Sequence, residues 1–121
     1  NKVKSLIASG VRPQKRLAQK SAQVALRAAK KKAFGRAREH FSHAIDLNPY
    51  EEDYWYGRAW VFYRIGGPSN LKQARRDALV CRELAIRRKN TQEQELSEKL
   101  LRSMPGVTII ESFTHELSGI N

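Results

Sequence analysis

Small and apolar residues recur at helical spacing along most of the chain, and glycine and proline cut the pattern into segments. From Gln14 to about Lys32, Leu17, Ser21, Val24, Ala25 and Ala28 form a narrow stripe with Lys and Arg elsewhere, which predicts an amphipathic helix. Because the stripe is mostly small residues, another helix can approach it closely. Ala33-Phe34-Gly35 reads as a short connection. Ala37, Phe41, Ala44 and Ile45 then supply the inner face of a second helix. Asn48-Pro49 ends it, since the residue before a proline avoids helical dihedrals. The two segments predict an αα-hairpin, with Ala44 at the crossing and Ser42 outward.

A second hairpin of similar design follows. Glu51, Glu52 and Asp53 place three acids at a helix start, where the dipole favours them. Trp55, Ala59, Phe62 and Tyr63 supply an inner face that Gly66-Gly67 stops. Asn70 is expected to cap the next helix, with Leu71, Ala74, Ala78, Cys81 and Ala85 inward. Thr91-Gln92-Glu93-Gln94 has a capping-box pattern opening a fifth helix, with Leu96, Leu100 and Met104 on one side and Pro105 closing it. The expected organisation is a basic flexible arm over 1–13, a helical domain of two hairpins and a capping helix over 14–104, and a C-terminal tail over 105–121. The β-branched Val107, Ile109 and Ile110 give that tail an extended, partner-seeking character.

Ala25 and Ala59 lie 34 residues apart, and Phe34, Ala37 and Ala44 have counterparts at Leu71, Ala74 and Cys81 once three extra residues are allowed in the Gly-Gly-Pro-Ser-Asn turn. With Phe41, Leu47 and Pro49 in the first unit and Trp55, Phe62 and Gly66 opening the second, residues 18 to 89 resemble the tetratricopeptide repeat. Ala28 stands where that family prefers an aromatic, and Ile86 where it prefers proline. The resemblance implies an all-α fold of antiparallel hairpins stacked as a short right-handed solenoid, with a basic N-terminal arm and an extended tail. Some members of the family clamp a C-terminal carboxylate with lysine and asparagine. The matching positions here are Ala22, Leu26 and Gly57, none of which offers a charge or an amide.

Charge divides the chain sharply. Twelve of its 23 Lys and Arg precede residue 39, and none of its 12 Asp and Glu does, so the whole excess of the +11 net charge is N-terminal. Arg12, Lys15, Arg16, Lys20, Arg27, Lys30, Lys31, Lys32 and Arg36 are the candidate nucleic-acid contacts. No aromatic precedes Phe34, so phosphate contact without base stacking is expected. An anionic membrane is disfavoured because the stripe is too alanine-rich to insert strongly, and no segment approaches the length of a membrane span.

Little in the chain points to catalysis. His40 and His43 lie three apart but lack a second ligand cluster, and Cys81 falls on a predicted inner face. No glycine-rich phosphate loop or nucleophile triad is present, so no cofactor, metal or enzymatic activity is expected. A single cysteine suits a reducing intracellular compartment, cytoplasm or an organelle matrix. The helix from Glu52 onward carries more aromatic surface than one core face needs, which makes Tyr56, Trp60 and Tyr63 candidate partner contacts. The expected function is a non-enzymatic scaffold or adaptor joining proteins in a larger assembly. The alternative is an RNA-contacting structural subunit of a ribonucleoprotein, such as an organellar ribosome.

Overall fold

Six helices follow one another in the computed structural model, which describes residues 2–104: α1 (Lys2–Ser9), α2 (Lys15–Lys30), α3 (Phe34–Leu47), α4 (Glu52–Ile65), α5 (Pro68–Arg87) and α6 (Thr91–Ser103). From α2 onward each helix packs chiefly on its neighbours in sequence. The described residues are therefore all-α, without a strand, and none of their helices is long and apolar enough to cross a membrane. The expected tail lies outside the described residues.

Alanine sets the spacing between helices. Ala18, Ala25, Ala37, Ala44, Ala59, Ala74, Ala78 and Ala85 are all fully buried, so facing backbones meet with little between them. Larger side chains fill the remaining volume in three clusters. Phe41 and Val61 join the α2 and α3 alanines. Ile45, Trp55, Val80, Cys81 and Leu84 form a second cluster, and Leu100, Leu101 and Met104 pack on Ala59, Ala74 and Ala78.

Five details depart from the sequence expectations. The N-terminal arm is not free: Lys2–Ser9 is a helix whose Val3 is buried against Ile45, Trp55 and Leu84, with Leu6 beside it. The Tyr50 hydroxyl faces the carbonyls of Leu6 (3.2 Å) and Val11 (2.8 Å) and ties the arm to the α3–α4 loop. The buried stripe of α2 keeps the expected Ala25 and Ala28 but runs through Ala18 and Ala22 in place of Leu17 and Ser21. Leu17 consequently stays half exposed, since the smaller alanines allow the closer approach of α3. Phe34 opens α3 rather than lying in the connection, which is made by Lys31 to Ala33 with Lys32 left-handed at φ 61°. The start of α5 is set by Pro68 in its first turn, and Asn70 donates from Nδ2 to the Gly66 carbonyl at 2.8 Å instead of capping. At α6 the cap is Asn90, whose side chain accepts from the Glu93 N–H at 3.2 Å.

A candidate partner-binding groove

Helices α2 and α4 lie side by side across the edge of α3 and leave an open groove of about 1160 Å³. The α2 wall is Lys15, Gln19, Ala22, Gln23, Leu26 and Lys30, a stripe at steps of three and four residues that lies beside the buried alanines. The opposite wall is Tyr54, Tyr56, Gly57 and Trp60 of α4, with Phe41 of α3 forming the floor. Gly57 is required here. A Cβ at that position would stand 2.5 Å from Phe41 Cζ, so only glycine lets α4 cross the ring.

The aromatic residues of α4 divide by role. Trp55 is buried, its indole N–H donating to the Pro49 carbonyl at 2.8 Å. Phe62 and Tyr63 pack against the cluster of Ala59, Ala74 and Leu101. Tyr56 and Trp60 line the groove. Tyr63 is not among the groove-lining residues, although it packs on the same α5–α6 cluster that Tyr56 also touches. Trp60 is held edge-on by Phe34, with ring centroids 5.9 Å apart and planes at 71°, and the Arg64 guanidinium sits 5.2 Å from its ring.

The two ends of the groove differ electrically. The Gln14 N–H donates to the Leu47 carbonyl at 2.8 Å, bringing the start of α2 to the end of α3 and the start of α4. Glu51, Asp53 and Glu93 line this end. Glu52 is wholly buried there, where Arg88 Nη1 reaches its Oε1 at 2.7 Å and Glu51 Oε2 at 3.3 Å. At the opposite end stand Lys30 and Trp60, with Arg64 beside them.

Asp53 and Glu93 face each other within hydrogen-bonding reach, and neither forms an ion pair. Burial, then the neighbouring Asp53 and Glu52, push the Glu93 carboxyl up to about 7. Burial and the negative charge of Glu93 likewise raise the Tyr56 hydroxyl. Because the folded pKa of Glu93 lies above its unfolded value, its stabilising proton is fully in place below about pH 4.5 and is lost as pH rises through about 7. The melting temperature is expected to rise between about pH 8 and about pH 5, and Glu93→Gln should shrink that rise by removing the titrating group. Differential scanning calorimetry across the range checks it, and an unchanged pH profile in the variant would contradict the carboxyl pair.

The nine candidate nucleic-acid contacts are all exposed. Lys15 and Lys30 line the groove. Arg16, Lys20 and Arg27 project from the side of α2 away from its buried alanines. Arg12 precedes the helix, Lys31 and Lys32 lie in the turn, and Arg36 sits in the first turn of α3. Among the described residues, the ion pairs formed by arginines 58, 82, 87 and 88 all lie beyond residue 50, whereas none engages residues 12–38.

Sequence reasoning missed Asp53 and Glu93 as groove residues, since their pairing joins helices forty positions apart and leaves no local mark. The Lys15, Gln19, Ala22, Leu26 and Lys30 stripe could have been found from its spacing alone. Ala22, Leu26 and Gly57, matched to a carboxylate clamp by the family resemblance, do line the groove. No family model, curated protein or solved structure matches this chain.

Proposed function

We propose that this chain is a non-enzymatic scaffold of tetratricopeptide-like, solenoidal design that holds a segment of a partner protein in the α2–α4 groove within a larger assembly. The observation that carries this reading is the convergence of half-buried Tyr56 and Trp60 with exposed Leu26 on one groove, over a floor of Gly57 and Phe41. Tyrosine and tryptophan give large, stiff contact surface at small entropic cost, and such residues dominate binding energy where a partner excludes water. At about 1160 Å³ and open along its length, the groove has room for a short peptide segment.

A second reading draws on a different feature, the absence, among the described residues, of ion pairs along residues 12–38. An unpaired cationic face suits the phosphates of RNA, and the chain would then be a structural subunit of a ribonucleoprotein. Arg16, Lys20 and Arg27 occupy a face of α2 that adjoins the groove without lining it, so one subunit can use both surfaces.

Affinity purification from native extract separates the readings when three forms are compared. Tyr56→Ala with Trp60→Ala should lose co-purifying proteins and keep any nucleic acid, judged from the absorbance ratio. Arg16→Gln, Lys20→Gln and Arg27→Gln together avoid the groove. This triple variant should keep the proteins and lower the slope of log affinity for RNA against log salt by roughly two to three. An aromatic variant that retains every protein partner overturns the groove reading. A triple variant with the parental salt slope overturns the RNA reading.

A further inference from the structure

The ligand chemistry of the groove follows from its unequal ends, and this inference rests on the groove reading above. We propose that the occupant is a peptide segment of a partner that presents a lysine or arginine to Asp53 and Glu93 and an apolar side chain to Tyr56 and Trp60.

The acidic end has two kinds of carboxylate. Glu51 and Glu52 are already satisfied by Arg88, and Asn90 Nδ2 lies 3.4 Å from Glu52 Oε2. Among the described residues neither Asp53 nor Glu93 forms an ion pair, Arg88 acting on Asp53 only through its longer-range charge, although both line the open groove. The groups facing Glu93 are Asp53 and Glu52 from α4, Tyr56 from the same helix, and the Cys81 thiol of α5, whose Sγ lies 3.9 Å from Glu93 Oε2. None is a cation. Across the groove, α2 offers the neutral amides of Gln19 and Gln23, and Lys15 forms no ion pair with either carboxyl. An arriving ammonium or guanidinium would therefore take the place of the proton that Glu93 otherwise retains.

The same geometry disfavours the opposite polarity. A ligand carboxylate at this end would meet Asp53 and Glu93. Arg88 is already engaged by Glu51 and Glu52, Ala22, Leu26 and Gly57 offer no donor side chain, and among the described residues Lys15 at the start of α2 is the one cation left to it. At the far end Lys30 and Arg64 repel a cation, which fixes the direction in which the segment lies. The chain's own residues 105–121 contain no Lys or Arg, so they lack the group this end calls for. Residues 12–38 of a second copy do contain such groups, and the test below distinguishes them.

Random peptides displayed on phage, selected against the full chain near neutral pH, are the probe. Enriched sequences should share a lysine or arginine a few positions from a leucine or aromatic residue. Binding of a synthesised member, followed by fluorescence anisotropy, should weaken at least about tenfold in Asp53→Asn with Glu93→Gln. Replacing the peptide's arginine by citrulline should weaken it similarly, and the two changes together should be no worse than either alone. Affinity should also fall as pH drops through about 7, as Glu93 takes up its proton, and should not in the double variant. Circular dichroism of that variant checks that it folds, and Glu93→Gln alone provides a milder form.

Enriched peptides that bind through Tyr56 and Trp60 but show no cationic preference would overturn this inference and leave the groove reading standing. Failure to select any peptide sensitive to Tyr56→Ala and Trp60→Ala would overturn both. Concentration-dependent dimerisation abolished by Asp53→Asn with Glu93→Gln would seat a second copy at this end and overturn the partner assignment.

Discussion

Asp77→Ala is expected to destabilise the protein by about 3–5 kcal/mol, the range for breaking one side of a buried ion pair. Asp77 is 2% exposed on α5, and Arg58 of α4 grips it through two bonds, Nε to Oδ2 at 2.7 Å and Nη2 to Oδ1 at 2.9 Å. The third nitrogen, Nη1, donates to Ser42 Oγ of α3 at 3.2 Å. The guanidinium also lies 5.2 Å from the Trp55 ring and 6.0 Å from that of Phe62. One side chain thereby joins three helices where alanine packing alone supplies no direction. Burial holds the Asp77 carboxyl above its ordinary range while Arg58 pulls it down, so the pair persists only because both members are present.

Removing the carboxylate leaves the guanidinium largely desolvated and without its acceptor. Arg58→Met should cost less than Asp77→Ala, because a lone buried carboxyl can take up a proton whereas a guanidinium cannot give one up. Arg58→Met combined with Asp77→Leu should recover most of the loss, since apolar groups of similar volume need no partner. Urea unfolding of the singles and the double forms a closed cycle that measures the coupling. Single variants costing less than about 1 kcal/mol, within the range of an exposed pair, would show that the bond does not organise the helices.

Ser42 illustrates why some of this was hidden from the sequence. Its position in α3 reads as outward, yet its hydroxyl accepts from Arg58 and is half-buried. Local periodicity reports which residues share a face, and it does so well at Ala37, Phe41, Ala44 and Ile45, all buried as expected. It is blind to a polar bond formed with a residue sixteen positions later. The helix breaks at Asn48-Pro49 and Gly66-Gly67 were legible because they act through local backbone geometry alone. The helicity of residues 2–9 was not, since Val3 and Leu6 acquire meaning only against Trp55 and Leu84. In α2, both Leu17 and Ala18 fit an apolar stripe, and hydrophobicity favours the wrong one. The tighter approach that alanine permits decides the register.

The candidate groove was legible to a similar, partial degree. Tyr56 and Trp60 stood out because α4 carries more rings than a single buried face accepts. Tyr63 carries the same chemical signal but packs on the α5–α6 cluster without reaching the groove, whereas Tyr56 touches both. Division of the basic residues between groove and outer face required only helical angles once the buried alanines were known. The meeting of Asp53 with Glu93 required the whole fold.

Two glycine-to-alanine changes within helices should move stability in opposite directions. Gly35 lies in the first turn of α3, and an added Cβ there meets nothing within 4 Å. Gly35→Ala should therefore stabilise by about 0.5–1 kcal/mol, through the lower backbone entropy of the unfolded chain and better helix propensity. Gly57→Ala gains the same propensity in α4 but places its Cβ 2.5 Å from Phe41 Cζ and 3.0 Å from Cδ1. Phe41 is 3% exposed and packed among Ala25, Ala37 and Val61, so its ring has nowhere to retreat. Overpacking of this kind costs about 1–3 kcal/mol, enough to exceed the propensity gain, and the net effect should be destabilising. Phe41→Leu in the Gly57→Ala background should restore part of the loss, because the smaller side chain vacates the space the methyl needs. On its own Phe41→Leu should destabilise by leaving a void in the floor of the groove. Thermal and urea melts of the four variants provide the check: a Gly57→Ala protein as stable as Gly35→Ala would mean that α4 can lift off Phe41 without penalty, and the close crossing that shapes the groove would then not be what holds the two helices together.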